Sequence, residues 1–162
     1  MTRDRIYEYF IEKDNNCAEA MLRALNDEYC LGIPEDSVKL VGGFGGGMGC
    51  GKACGALCGG CSAISYRLIQ ERAHATPELK PAVAAFAEEF VKRFGSDACC
   101  ELVKTYKKED TRCLDMICMA ADIADACFER IISAEEKLFP SLLSQRHGEG
   151  QQCPGYDESG EV

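Results

Sequence analysis

Gly42-Gly43-Phe44-Gly45-Gly46-Gly47-Met48-Gly49-Cys50-Gly51-Lys52-Ala53-Cys54-Gly55-Ala56-Leu57-Cys58-Gly59-Gly60-Cys61 interleaves glycine with four cysteines. If the stretch is helical from about Cys50, steps of four, four and three residues bring Cys50, Cys54, Cys58 and Cys61 within an arc of roughly 80°. Four thiols on one helix face would span about 16 Å at a rise of 1.5 Å per residue, too far for all of them to clasp one small metal group. The stripe therefore reads as one wall of a site that other helices complete. Gly47, Gly51, Gly55 and Gly59 recur every four residues beside it, although each glycine inside a helix costs about 1 kcal/mol relative to alanine. Two accounts offset that cost. Another helix or subunit approaches this smooth face, or Gly47, Gly51 and Gly55 leave room for a cofactor that needs the backbone nearby.

The flanking sequence is helical throughout. Ile6, Tyr7, Phe10 and Ile11 give a short helix over Arg3 to Glu12, and Asp14 or Asn15 caps a second from about Asn16 to Cys30, ended by Gly32 and Pro34. Pro34 opens a short turn to about Val41. Cys54 to Ala75 reads as a long helix. Pro77 to Phe94 reads as another, with Val83, Phe86, Phe90 and Phe94 on its apolar face and Gly95 as its stop. Ser96 or Asp97 caps a helix carrying Cys99 and Cys100, and Thr111 caps a last one from Arg112 to about Ile132. No run alternates as a strand does. The expected architecture is all-α: a compact bundle of about five or six helices with a Gly/Cys-rich loop-helix segment. It forms one domain over 1–140, followed by a polar tail over 141–162.

The chain has 162 residues, 46% hydrophobic and 28% charged, enough for one domain with its own core. A formal charge of -9 excludes nucleic-acid backbones and anionic membranes as partners, which both need clustered Lys and Arg. Met1 to Phe10 lacks the apolar core of a signal peptide, and no stretch is long and apolar enough to span a bilayer, so a cytoplasmic location is expected. In a reducing compartment, twelve cysteines indicate metal ligands or redox thiols rather than a disulfide framework, although any single one can be an inert core filler.

Several motifs are weaker than they look. Gly46 to Lys52 fits the G-x-x-x-x-G-K phosphate loop, but Ala53 stands where Ser or Thr must reach Mg²⁺, and the strand context is missing. Cys58-Gly59-Gly60-Cys61 is a C-x-x-C pair suited to dithiol redox chemistry or half a metal site. It lies inside a helix, away from the N-terminal dipole that activates thioredoxin-type thiols, and Ser62 excludes c-type haem attachment. His74 and His147 are the only histidines, and neither pairs recognisably with a cysteine. Cys99-Cys100 sits in a first helical turn, where the dipole favours thiolates. Cys118 and Cys127 read as core fillers, and Cys30 and Cys153 receive no role.

Taken in order, Asn16-Cys17-Ala18-Glu19-Ala20, the glycine run into Cys54-Gly55-Ala56-Leu57-Cys58-Gly59, Phe94-Gly95-Ser96 with Cys99 and Glu101-Leu102, and Cys113 followed by Ala120-Ala121 resemble the redox-active proteins of the C_GCAxxG_C_C family. The match spans roughly Cys17 to Ile132. The resemblance implies four shared cysteines, Cys17, Cys54, Cys99 and Cys113, and a redox role. A similar domain accompanies the haem-binding part of split-Soret cytochromes, where an iron-sulfur centre is implied. Cys50, Cys58, Cys61 and Cys100 are additions to the family pattern.

Four thiolates from separate helices can converge in a bundle, and Cys₄ is the usual ligand set of iron-sulfur clusters and structural zinc. The expectation is an electron-transfer protein that binds an iron-sulfur cluster through Cys17, Cys54, Cys99 and Cys113, with Cys50, Cys58 and Cys61 as further ligand candidates. A redox partner protein or a small-molecule donor or acceptor would exchange the electrons. Two rivals are a metal-free dithiol/disulfide oxidoreductase or sensor using Cys58 and Cys61, and a zinc-bound structural or binding module. The glycine stripe also suits a homodimer, packed across a two-fold axis.

Overall fold

The computed structural model describes residues 1–138, so the polar tail expected over 141–162, with His147 and Cys153, lies outside the described residues. Among the described residues there are seven α-helices: α1 (Thr2–Tyr7), α2 (Cys17–Tyr29), α3 (Glu35–Val38), α4 (Gly55–Leu68), α5 (Leu79–Phe94), α6 (Cys99–Tyr106) and α7 (Leu114–Leu138). No strand occurs among them, and the only β pairing described is two isolated bridges, Ala53 with Ala98 and Lys108 with Arg112. The all-α bundle expected from sequence is therefore observed. No helix among the described residues is long and apolar enough to cross a membrane.

α4 is the central element, packed against α2, α5 and α7. Its small residues make this possible. A Cβ on Gly59 would stand 2.4 Å from the Ala18 carbonyl oxygen, and one on Gly60 would stand 2.5 Å from the Phe86 ring. Such contacts cannot be relieved without moving α2 or α5, so glycine is required at both positions. Phe86, Phe90 and Phe128 are fully buried around this junction, and Tyr29 stacks on Phe128 with ring centroids 4.3 Å apart.

α1 is fastened to α7 through a buried carboxylate. Asp125 accepts the Thr2 backbone N–H at 3.2 Å, the Thr2 hydroxyl and the Tyr29 hydroxyl, the last at 3.0 Å. Burial and the Asp125 charge push the Tyr29 phenol well above its usual range.

Four boundaries differ from the sequence expectation. The helix expected from about Cys50 does not form: five of the six residues Gly46 to Gly51 have positive φ, including Met48 at 59°. A left-handed turn cannot continue into a right-handed helix, so α4 starts only at Gly55. It also ends at Leu68, because Ile69 turns extended at ψ 121°. Finally, Asn16 rather than Asp14 or Asn15 caps α2, and α7 starts at Leu114 because Arg112 is left-handed, with φ 52°.

Candidate redox centre

Cys17, Cys54, Cys99 and Cys113 all stand at the start of a helix. Cys17 and Cys99 are the first residues of α2 and α6, Cys54 caps α4, and Cys113 directly precedes α7, with its carbonyl accepting the Ile117 N–H at 3.0 Å. Four helix N-termini, each the positive end of a dipole, thus present one cysteine apiece.

Local sequence explains the placement. Asn16 forms a capping box with Glu19: Asn16 Oδ1 accepts the Ala18 and Glu19 N–H groups at 2.9 and 3.2 Å, and Glu19 accepts the Asn16 N–H at 3.0 Å. The same Asn16 donates from Nδ2 to the Gly42 carbonyl at 2.9 Å, which pins the glycine run to the start of α2. Next, the Ala53–Ala98 bridge joins the entry to α4 with the entry to α6. The Cys54 N–H donates to the Asp97 carbonyl at 2.8 Å and the Cys99 N–H to the Lys52 carbonyl at 2.6 Å.

Cys17 is the hub. Its sulfur lies on Gly55, where a Cβ would come within 2.3 Å of it, and its charge raises the thiol pKa of Cys54, Cys58, Cys99 and Cys113 alike. Such mutual influence falls off steeply with distance, so the four family cysteines share one locality. Burial is the larger cause in each case. It pushes Cys54 up to about 12, against a smaller lowering by the nearby Leu57 and Ala56 backbone N–H groups. Lys107 faces Cys99 and Cys113, and Arg112 also faces Cys113; both cations favour the thiolates.

The glycines beside the centre each face another part of this chain. Gly47 lies against the Cys99 Cβ and the Lys52 backbone, Gly51 against the Cys100 Cβ, and Gly55 against Cys17. The Gly46 to Lys52 loop is a left-handed turn with no strand before it, unlike the context a phosphate loop needs.

The remaining candidates fall elsewhere. Cys50 is exposed in the loop, donating to the Gly47 carbonyl at 3.6 Å, and Cys100 is exposed on α6. Cys58 and Cys61 lie within α4 and line a groove of about 960 Å³ together with Phe44, Leu57, Ser62 and Ile69. Burial raises both thiols, Cys61 to about 12. Cys127 is buried in α7, and Cys118 lies against the Arg3 carbonyl at 3.9 Å. The stripe read from sequence thus divides into a loop thiol, a helix cap and two groove thiols. Lys107 and Arg112 had no sequence signal, whereas the Asn16 and Glu19 spacing is the one that marks Cys17 as a first-turn residue.

All four cysteines are free thiols, soft donors of the kind that iron-sulfur clusters and zinc take. Among the described residues no group of three or more His, Cys, Asp or Glu side chains is arranged to hold a metal ion. Donor chemistry and the surrounding N–H groups therefore fit an anionic thiolate centre, while a single ion would require the sulfurs to draw closer.

A family model described as "Putative redox-active protein (C_GCAxxG_C_C)" matches residues 15–127, a span that contains all four helix-start cysteines. No curated protein and no solved structure matches the chain.

Proposed function

Because the chain belongs to the C_GCAxxG_C_C family of redox-active proteins, we propose that Cys17, Cys54, Cys99 and Cys113 form one electron-carrying centre and hold an iron-sulfur cluster. The observation that carries this reading is the placement of four thiols at four helix starts around Cys17. When bound, such a cluster supplies single-electron transfer. A cluster would share its thiolates among more than one iron, so the four sulfurs need not close on one point.

The chain's own residues perform three tasks. The Leu57 and Ala56 backbone N–H groups lie close enough to the Cys54 sulfur to favour its charged form, against the larger effect of burial. Lys107 and Arg112 offset the negative charge gathered there. Burial of Cys54, only 2% exposed, keeps water from that ligand, while half-buried Cys17, Cys99 and Cys113 leave a side open toward an electron donor or acceptor. That partner is a redox protein or a small molecule, and the reading places the chain in the reducing cytoplasm, where thiols persist.

Anaerobic purification followed by iron, sulfide and zinc analysis and a visible spectrum tests the proposal. Iron and sulfide with visible absorbance that bleaches on reduction are expected. A colourless, iron-free protein with intact thiols would overturn it, and one equivalent of zinc without iron would replace it with a structural zinc module.

A further inference from the structure

The groove along α4 has a chemistry of its own. Cys58, Cys61, Ser62, Ser65 and Ile69 follow one another at helical spacing along it, with Phe44 at one end. The hydroxyl donors on this face are already used. Ser62 donates to the Cys58 carbonyl at 2.9 Å, Ser65 to the Cys61 carbonyl at 2.8 Å, and Tyr66 to the Gly32 carbonyl at 3.1 Å. None of the described lining residues is charged, in a chain of net charge -9. What the groove offers a ligand is mostly hydrocarbon surface, two free thiols, and neutral polar groups: hydroxyl oxygens as acceptors and the Gln70 amide. Such a surface desolvates a charged ligand without repayment, and it suits an uncharged molecule with a soft, thiol-reactive centre.

We infer that this groove is a substrate site for a small uncharged disulfide, with Cys58 and Cys61 as the exchanging dithiol. Burial raises both thiols, so only a small fraction is ionised at neutral pH; from that fraction the Cys58 thiolate attacks one sulfur of the substrate RS–SR. The S–S bond breaks, and RS⁻ leaves and takes up the proton that Cys58 lost. The Cys61 thiolate then attacks Cys58 Sγ in the mixed disulfide, and the second RS⁻ leaves with the proton from Cys61. The protein gives up two electrons and two protons and holds a Cys58–Cys61 disulfide, while the substrate becomes two thiols.

Helical positions i and i+3 hold Cβ atoms about 5–6 Å apart, whereas a disulfide needs roughly 3.5–4.5 Å. The residues between them are Gly59 and Gly60, whose backbone can tighten without rotating a side chain. Cys17 lies on Gly55, one turn before Cys58 on α4, which brings the groove next to the four-cysteine centre. The exchange itself does not require that centre to hold metal.

The test treats the reduced full chain with substoichiometric 2,2′-dithiodipyridine, which is uncharged, or with the dianionic 5,5′-dithiobis(2-nitrobenzoate), and maps every cysteine by mass spectrometry. Exposed Cys100 serves as an internal reference. The expected result is an α4 peptide two hydrogens lighter, with a mixed disulfide trapped on Cys58 in Cys61→Ser. Relative to Cys100, Cys58 should prefer the uncharged reagent by at least about tenfold, and Ser62→Lys, which places a cation beside the thiols, should reduce that preference. An α4 peptide with both thiols free while Cys100 has reacted, or equal selectivity for the two reagents, would overturn the inference. Iron measured on the same sample separates this outcome from the fate of the cluster proposal.

Discussion

The sulfur of Cys17 rests on the Cα of Gly55, with a Cβ-to-sulfur separation of only 2.3 Å if alanine stood there. The same Cβ would meet the Phe44 carbonyl oxygen at 3.0 Å and the Ala18 nitrogen at 3.2 Å, both backbone atoms with little freedom. Overpacking of this kind costs about 1–3 kcal/mol, against about 1 kcal/mol of helix propensity that alanine would add. Gly55→Ala should therefore lower stability by up to about 2 kcal/mol in urea unfolding and lower the iron retained after anaerobic purification. A variant more stable than the parent would show that α2 can move aside.

Metal retention should depend on position rather than on cysteine number. Cys54→Ser removes a buried helix-cap thiol and is expected to bring iron close to background, with the protein still folded by circular dichroism. Cys118→Ser alters a thiol in the second turn of α7 that faces the Arg3 carbonyl of α1 and should retain the parent's iron content. Equal losses in the two variants would argue against a centre at the helix starts.

Stability of the metal-free chain should fall at alkaline pH, in part through Cys61. Its ordinary pKa of 9.0 is raised by burial to about 12 in the fold, so below pH 9 both folded and unfolded states carry the proton. Between about pH 9 and 12 the unfolded thiol ionises while the folded one does not, which favours unfolding by at most about 1.4 kcal/mol per pH unit. Urea midpoints across that range should decline less steeply in Cys61→Ala than in the parent. Parallel slopes would show that Cys61 ionises as readily in the folded chain.

Asn16 holds both the start of α2 and the glycine run. Asn16→Ala removes the cap for two N–H groups and the bond to the Gly42 carbonyl, and should cost about 1–2 kcal/mol. Asn16→Asp keeps the cap acceptor but loses the Nδ2 donor, so it should recover most of that stability while leaving the loop more open to proteolysis. Proteolysis of the loop unchanged in Asn16→Asp would separate the loop from the cap.

The helical elements were largely legible because their apolar spacing is unambiguous: Phe86, Phe90 and Phe94 mark α5, and Ile117, Ala121, Ala124 and Phe128 mark α7. The stretch from Cys50 to Cys54 was not, because cysteine spacing alone cannot report the sign of φ, and Met48 is left-handed with no side-chain signal for it. Proximity of Cys54 to Cys99 was also hidden, since it depends on a single bridge between Ala53 and Ala98, two residues with no pairing signature. The family pattern named the four cysteines, and the expected helix limits already put each near a helix start; how those starts lie together is a property of the folded chain.

Those four starts are dispersed from position 17 to position 113, so no fragment containing one or two helices can assemble the centre. Closing such separations carries an entropic cost that is met only when most of the bundle has formed. If the centre holds a cluster, its capture would be a late event in folding, and occupancy would measure how completely a given molecule has matured.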